Sequence, residues 1–379
     1  MKGSLPNSIR DPLFPKWNAT GVKLMAVVLF LGAFGLVMLY SASNYTASVR
    51  YDDAWYFVKR QGVALAVAVV VMLATSRLNP NWIRKANLPL LAVSVVLMCL
   101  VFVPSLGVES YGAKRWLGIG PLSMQPSELA KFAFVWSAAW WIDRHPLEVW
   151  RNQLPVVGVG VLFCVLLLLE PNMSVTMIMV GLMLCMLLIG GAKGKHFALY
   201  LVPVVAAVPV LIAMEPYRLQ RLLAFVDPWA SPKGEGYQLI QSYYALGSGG
   251  FFGVGLFNSR QKYMFLPFAE SDFIFSVVGE ELGFVGAALL MAAMVYVVYL
   301  GYRIASSCSD RLHALGAYGV TTVIALQSLL NVAVVTGCVP PTGVPLPFVS
   351  YGGSSLVCFS LAVGYLLSVD RINRRTLGV

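Results

Sequence analysis

Ten long apolar stretches determine what this chain of 379 residues can fold into. A bilayer core is about 30 Å thick and is crossed by about 20 apolar residues in an α-helix. Backbone polar groups must be satisfied internally in lipid, so each stretch is predicted to be helical. The stretches lie near residues 22–43, 61–76, 88–107, 124–142, 153–170, 172–191, 197–214, 273–302, 312–336 and 350–369. The sequence therefore predicts an all-α polytopic membrane protein with ten transmembrane helices.

The composition supports a membrane protein and argues against a nucleic-acid partner. Only 12% of residues are charged, whereas soluble proteins carry about 25%. The net charge is +10, but the cations lie in short loops between apolar spans. Most of the 27 basic residues fall on the side of the N-terminus, which predicts that both termini are cytoplasmic. Residues 1–379 are predicted to form one domain, with cytoplasmic tails at 1–21 and 370–379.

The first segment predicted to lie outside the cytoplasm contains GAKRWLGIGPLSMQPSELAKF, residues 112 to 132. Glu128 and Lys131 are three residues apart and share one face of the following helix. One interpretation is a simple ion pair at the end of that helix. The other is that Lys114, Arg115 and Lys131 bring positive charge to an anionic substrate.

The long extracytoplasmic loop, residues 215–272, lies between predicted helices 7 and 8. Leu239, Tyr243 and Leu246 have helical spacing and predict a short amphipathic helix along the membrane surface. The glycines that follow do not form a P-loop, because no Gly-Lys-Ser/Thr follows them. The loop also carries cations suited to phosphate, which are Arg218, Arg221, Arg260 and Lys262.

The third outer segment, near 337–349, reads GCVPPTGVPLPFV and is both apolar and rich in proline. Proline does not continue a helix. Irregular backbone at membrane depth is tolerated only where it is buried in protein or lines a cavity. The segment is therefore predicted to be a re-entrant cavity wall.

The stretch PFAESDFIFSVVGEE, residues 267 to 281, places four acids around an apolar run. Asp272 stands where an N-cap residue belongs, and the residues alone leave it open whether it caps a helix or does chemistry. Glu280 and Glu281 lie two turns deeper, where acids are costly and functional by default.

These outer segments together resemble the SEDS family (shape, elongation, division and sporulation), over nearly the whole chain. The matching stretches are GAKRWLGIGPLSMQPSELAK, EPNMSVT, GYQLIQSYYALGSGGFFGVGLFNSRQKY, LPFAESDFIFSVVGEELGFVG and PPTGVPLPFVSYGGSS. The resemblance is greater to the FtsW and SpoVE branch than to RodA. The chain departs from the family at Phe268 and Glu270, where Glu and His are common, and at Asn172, where Asp is frequent.

The resemblance implies a membrane glycosyltransferase that polymerises lipid II into peptidoglycan strands. It implies that Asp272 is the essential acid and Ser350 part of the substrate-binding set. Expected partners are lipid II, membrane lipids, a class B penicillin-binding protein and other division proteins. The expected location is the plasma membrane at the division septum.

The chemistry of lipid II suits one base rather than two carboxylates. Diphosphate leaves as a stable anion without a general acid, so Asp272 need only take a proton from the acceptor hydroxyl. Cationic side chains stabilise the departing charge. A divalent cation, Mg²⁺ or Mn²⁺, could share that role, but no dedicated metal site is recognised. Two alternatives are a lipid II flippase, since buried charges also mark transporters, and a non-catalytic division scaffold.

Overall fold

The computed structural model describes residues 17–110, 113–119, 122–213 and 216–376. Its helices are α1 (Ala19–Tyr51), α2 (Tyr56–Arg77), α3 (Trp82–Leu100), α4 (Pro126–Arg144), α5 (Trp150–Leu169), α6 (Met173–Ile189), α7 (Gly194–Ala213), α8 (Pro216–Val226), α9 (Tyr237–Gly249), α10 (Ile274–Ser306), α11 (Arg311–Val335) and α12 (Gly353–Thr376). Its strands are β1 (Gly107–Ser110), β2 (Ala113–Ile119) and β3 (Leu122–Met124).

Each of the ten predicted spans corresponds to a helix, namely α1–α7 and α10–α12. In the described part of the chain, seven of them (α1–α3, α5 and α10–α12) are long and apolar enough to cross a membrane. α6 is equally apolar but has only 17 residues. α4 carries Glu128 and Lys131 in its first two turns. The prediction of a polytopic helical membrane protein is confirmed.

A small sheet departs from the all-α prediction. β1, β2 and β3 form an antiparallel sheet in that order, with β2 in the middle. Gly107 pairs with Leu117 on one edge of β2, and Leu117 pairs with Met124 on the other. A segment outside the hydrocarbon can satisfy its backbone by strand pairing. The sheet gives Lys114 and Arg115 fixed positions on β2.

α10 is broken at Gly283, which has φ +68° and ψ −167°. The glycine-rich segment after α9 supplies hydrogen-bond partners for the interrupted helix. Val254 N donates to Glu280 O at 3.0 Å, and Phe284 N donates to Gly250 O at 2.9 Å. Interrupted helices are tolerated when neighbouring backbone replaces the lost bonds. These glycines therefore stabilise the break in α10.

The predicted amphipathic helix in the long loop is α9, and it packs against α10. Leu239 is fully buried, and Ser242 Oγ lies 2.8 Å from Ser276 Oγ of α10. A Cβ on Gly249 would overlap the carbonyl oxygen of Gly279, so glycine permits this close approach. The helix was correctly predicted, but its apolar face covers protein, whereas we expected it to face the membrane surface.

Candidate active site

Asp272 lies in the turn before α10 and does not cap that helix. The N-cap is Phe273, and in the described chain no backbone N–H of α10 donates to the Asp272 carboxylate. Part of the residue's surface is exposed, whereas its carboxyl group is buried. The capping interpretation of Asp272 is therefore wrong, and the carboxylate is left for another role.

The proline-rich segment forms one wall beside Asp272. Asn331 Nδ2 donates both to Asp272 O at 2.9 Å and to Val344 O at 2.7 Å. Gly343 has φ +71°, and a Cβ on it would lie only 3.2 Å from Asp272 Oδ2. On the far side, Ser174 Oγ of α6 donates to Thr342 O at 2.6 Å. This position agrees with the predicted cavity wall.

The Asp272 carboxyl titrates far from its ordinary range. Burial, together with the nearby acid Glu270, raises its pKa to about 7. The positive charges of Arg221 and Arg115 act in the opposite direction and favour the ionised form. A carboxyl that titrates near neutral pH can accept and release a proton under working conditions.

Backbone carbonyls hold the two arginines that act on Asp272. Arg115 on β2 donates from Nε to Glu170 O at 3.2 Å and from Nη2 to Pro171 O at 2.5 Å. Arg221 on α8 donates from Nη1 to Pro341 O at 3.2 Å. Both guanidinium groups are therefore held by backbone oxygens, and their positive charges favour the ionised form of the Asp272 carboxyl.

The other predicted phosphate-binding cations have different surroundings. Lys114 is exposed on β2, where its partner in the strand register is Glu109. Arg218 precedes Arg221 on α8 and is partly exposed. Arg260 is exposed in the loop between α9 and α10.

Lys262 is buried, with 3% of its surface exposed. Its Nζ lies 3.6 Å from Glu281 Oε1 and 3.5 Å from Ser41 Oγ, and it also donates to Phe257 O. These internal partners occupy the ammonium group. That Lys262 binds substrate stays a prediction.

Glu128 and Lys131 form a buried ion pair, with 2.9 Å between Oε1 and Nζ. Lys131 also donates to Gln327 of α11, and Ser355 Oγ of α12 donates to Glu128 Oε2 at 2.9 Å. The pair joins three helices beneath the proline-rich segment, since Gln327 Nε2 donates to Pro345 O at 3.0 Å. The ion-pair interpretation is confirmed. A direct contact of these two residues with substrate stays a prediction.

Ser350 has a structural position. Its hydroxyl accepts a hydrogen bond from Leu346 N at 2.9 Å, and its carbonyl accepts one from Gln61 Nε2 at 3.1 Å. The side chain is 5% exposed. Ser350 closes a turn at the end of the proline-rich segment, and its place in the substrate-binding set stays a prediction.

Glu280 and Glu281 bind the loop that precedes the site. Glu280 accepts from Arg260 N at 2.8 Å and from Ser259 Oγ at 2.5 Å. Glu281 accepts from Ser259 N at 3.1 Å and from Phe257 N at 3.0 Å. Both carboxylates are at most 1% exposed. We named no partners for them from the sequence, and the structure shows that they anchor backbone.

Three residues of the site were not predicted from the sequence: Glu170, Asn331 and Gly343. Glu170 begins the EPN motif and is the last residue of the predicted span at 153–170, and an acid at the edge of a span is a signal of function. Asn331 gave a similar signal, as an amide near the end of an apolar helix. The proximity of Gly343 to Asp272 depends on tertiary structure.

A metal site held by several protein ligands is not seen. Across residues 17–110, 113–119, 122–213 and 216–376, no three His, Cys, Asp or Glu side chains cluster as metal ligands. The cationic groups that act on Asp272 are guanidinium groups.

Comparisons with known proteins agree with this architecture. The family model for FtsW, RodA and SpoVE, described as cell cycle protein, matches residues 22–375. Stage V sporulation protein E of Bacillus subtilis is 36% identical over 362 residues, which cover 95% of this chain and 99% of that protein. The probable peptidoglycan glycosyltransferase FtsW of Trichlorobacter lovleyi is 38% identical over 353 residues, which cover 92% of each chain.

Solved structures share the fold. The rod shape determining protein RodA of Thermus thermophilus matches with a TM-score of 0.70 and 26% identity, covering 95% of this chain and 98% of that one. A second match comes from a structure described as "Structural coordination of polymerization and crosslinking by a peptidoglycan synthase complex". Its TM-score is 0.78 at 29% identity, and it covers 94% of this chain and 99% of that one.

Proposed function

Because the chain belongs to the FtsW, RodA and SpoVE family of cell cycle proteins, we propose that it polymerises lipid II into glycan strands, with Asp272 as general base. The observation that carries this proposal is one acid that feels the charges of two guanidinium groups, each held by backbone oxygens. The charges of Arg115 and Arg221 both act on Asp272, whose pKa is raised by burial to about 7. An anionic leaving group and a single base are what this arrangement suits.

The reaction needs one proton acceptor and one site for negative charge. The acceptor sugar hydroxyl loses its proton to the Asp272 carboxylate as its oxygen bonds to the anomeric carbon of the donor. The bond from that carbon to the diphosphate oxygen breaks, and the electron pair leaves with the diphosphate. Arg115 and Arg221 stabilise the departing charge. No step requires a second carboxylate.

The protein is integral to the inner membrane, as expected for this family. We place both termini in the cytoplasm because most basic residues lie on that side. Asp272 then lies at the outer face, where a lipid-linked substrate presents its head group. We also propose a class B penicillin-binding protein as the crosslinking partner, and the division septum as the location. A structural neighbour taken from a peptidoglycan synthase complex supports the partner.

Polymerisation of purified lipid II tests the proposal. The full chain and its Asp272→Asn variant are assayed in detergent, with and without the cognate transpeptidase. We expect the variant to fold normally and to lose at least about 100-fold in rate, the usual contribution of a general base. Asp227→Asn is the matched control, because Asp227 lies in the same loop, is exposed and caps a 3₁₀ turn.

The same assay separates the alternative functions. A flippase or a scaffold would give no glycan in detergent, where no membrane separates two compartments. Wild-type rates from Asp272→Asn would remove Asp272 from the mechanism while leaving the enzymatic function in place.

A further inference from the structure

The turn between α5 and α6 places a buried acid close to the site. Glu170 directly follows the last residue of α5, and its surface is 0% exposed. Neither of its carboxyl oxygens has a hydrogen-bond partner among the residues that the structure describes. An ionised carboxylate buried without donors is strongly unfavourable, so such a group is held neutral.

Arg115 connects Glu170 to Asp272. Its Nε donates to the backbone oxygen of Glu170 at 3.2 Å, and its charge acts on both carboxyl groups. Burial raises the pKa of Glu170 to about 8, and the effect of Arg115 only partly opposes this. At neutral pH the side chain is therefore mainly the protonated acid, with one O–H donor.

We infer that Glu170 is a further substrate-contacting residue, a neutral carboxylic acid that donates a hydrogen bond to a phosphate oxygen of the lipid diphosphate. This inference rests on the proposed function, and it specifies how the leaving group is recognised. Arg115 Nε is hydrogen-bonded to the backbone oxygen of Glu170, so a phosphate that binds Arg115 lies close to the residue that carries this carboxyl group. The anionic oxygen supplies the acceptor for the carboxyl O–H, and hydrogen bonds to anions are the strong ones.

The inference predicts how the affinity for diphosphate changes with pH. Above about pH 8, Glu170 loses its proton, which removes the donor and places a negative charge beside the diphosphate. Affinity for diphosphate should therefore fall as pH rises through this value. The other acids at the site are Asp272 and Glu270, whose pKa values are also raised by burial. Arginine keeps its charge across the range.

Binding of a polyprenyl diphosphate to the full chain in detergent tests the inference without requiring catalysis. All variants are made in the Asp272→Asn protein, called the parent, because it lacks the other carboxyl group whose pKa lies near neutral pH. Between pH 7 and 9 we expect the parent to lose about tenfold in affinity. Glu170→Gln keeps a neutral donor and should lose less than about twofold over the same range. Glu170→Ala should bind about tenfold more weakly at pH 7.

Glu148→Gln is the control, since Glu148 is an exposed acid beyond the end of α4 and should leave the profile of the parent unchanged. An equal fall for the parent and Glu170→Gln would overturn the inference, and so would full affinity in Glu170→Ala at pH 7. Because Gln is nearly isosteric with Glu, its profile is decisive even if the alanine variant does not fold. Activity of Asp272→Asn would contradict only the proposed base, since this readout is binding.

Discussion

Two groups of acids lie at the start of α10, and their surroundings are opposite. Asp272 precedes the helix, is partly exposed and accepts no capping bond from α10 in the described chain. Glu280 and Glu281 lie within the helix, are at most 1% exposed, and accept hydrogen bonds from the preceding loop and from Ser41 of α1. The deeper acids have the more complete set of donors.

This difference in surroundings distinguishes Glu280 and Glu281, which have a structural role, from Asp272, which is available for chemistry. A buried carboxylate that is saturated with donors has its charge compensated and can hold a backbone segment in place. A carboxyl with few donors and a pKa raised by burial to about 7 is available to exchange a proton. The number of donors therefore distinguishes the two roles, whereas depth in the membrane does not.

The largest expected effect is the loss of stability in Glu281→Ala. This change leaves the buried Lys262 ammonium without its counterion and removes the acceptor for Ser41 Oγ. Removing one partner of a buried ion pair costs about 3–5 kcal/mol. We expect a clearly lower apparent melting temperature in detergent, together with reduced polymerisation.

Glu148→Ala is the control for this measurement, since Glu148 is an exposed acid and surface changes cost about 0.5 kcal/mol or less. If Glu281→Ala were as stable as this control, the assignment of Glu281 as a structural acid would be wrong.

Glu280→Gln should have a smaller and more local effect. The amide keeps the shape but weakens the charge-assisted bonds from Arg260 N and Ser259 Oγ, at a cost of about 2 kcal/mol. We expect faster hydrogen exchange in residues 254–262 than in wild type, with little change in α11. Unchanged exchange in the loop would show that Glu280 does not anchor it.

The sequence predicted the helices well because apolar length determines a membrane span. It did not predict the sheet of β1, β2 and β3, since strand formation depends on packing context, or the break at Gly283, whose replacement hydrogen bonds come from the segment after α9. In the site, too, some features were predicted from the sequence and others were not. Arg115 was named from its residue type near a membrane edge, and Asp272 from the family resemblance. The burial of Lys262 and the turn closed by Ser350 were not predicted, because only tertiary packing decides which polar groups are occupied internally.

Asp272→Asn should stabilise the protein at alkaline pH while it removes activity. The pKa of Asp272 is higher in the folded state than its ordinary value of 3.8, so the ionised form disfavours folding. This penalty is absent below about pH 4, grows as pH rises, and is complete above about pH 7. We expect the variant to gain about 1–2 kcal/mol at pH 8 and nothing at pH 4.

The measurement is the difference in unfolding midpoint between the two proteins at both pH values, with Asp227→Asn as the control. A destabilising effect of Asp272→Asn at pH 8 would indicate that hydrogen-bond donors hold the Asp272 carboxylate, as they hold those of Glu280 and Glu281. The two groups of acids would then not differ.

Gly343→Ala tests the wall of the site and has the smallest expected effect on stability. An L-residue at φ +71° is strained by roughly 1 kcal/mol. The added methyl group would also lie 3.2 Å from Asp272 Oδ2, where it displaces water and disfavours the ionised carboxylate. We therefore expect polymerisation to fall several-fold at pH 7 and to recover partly at pH 8. Gly191→Ala is the matched control, because Gly191 has φ +87° and open space around its Cα. Equal activity losses in both variants at every pH would mean that strain alone is responsible, and that Gly343 does not shape the surroundings of Asp272.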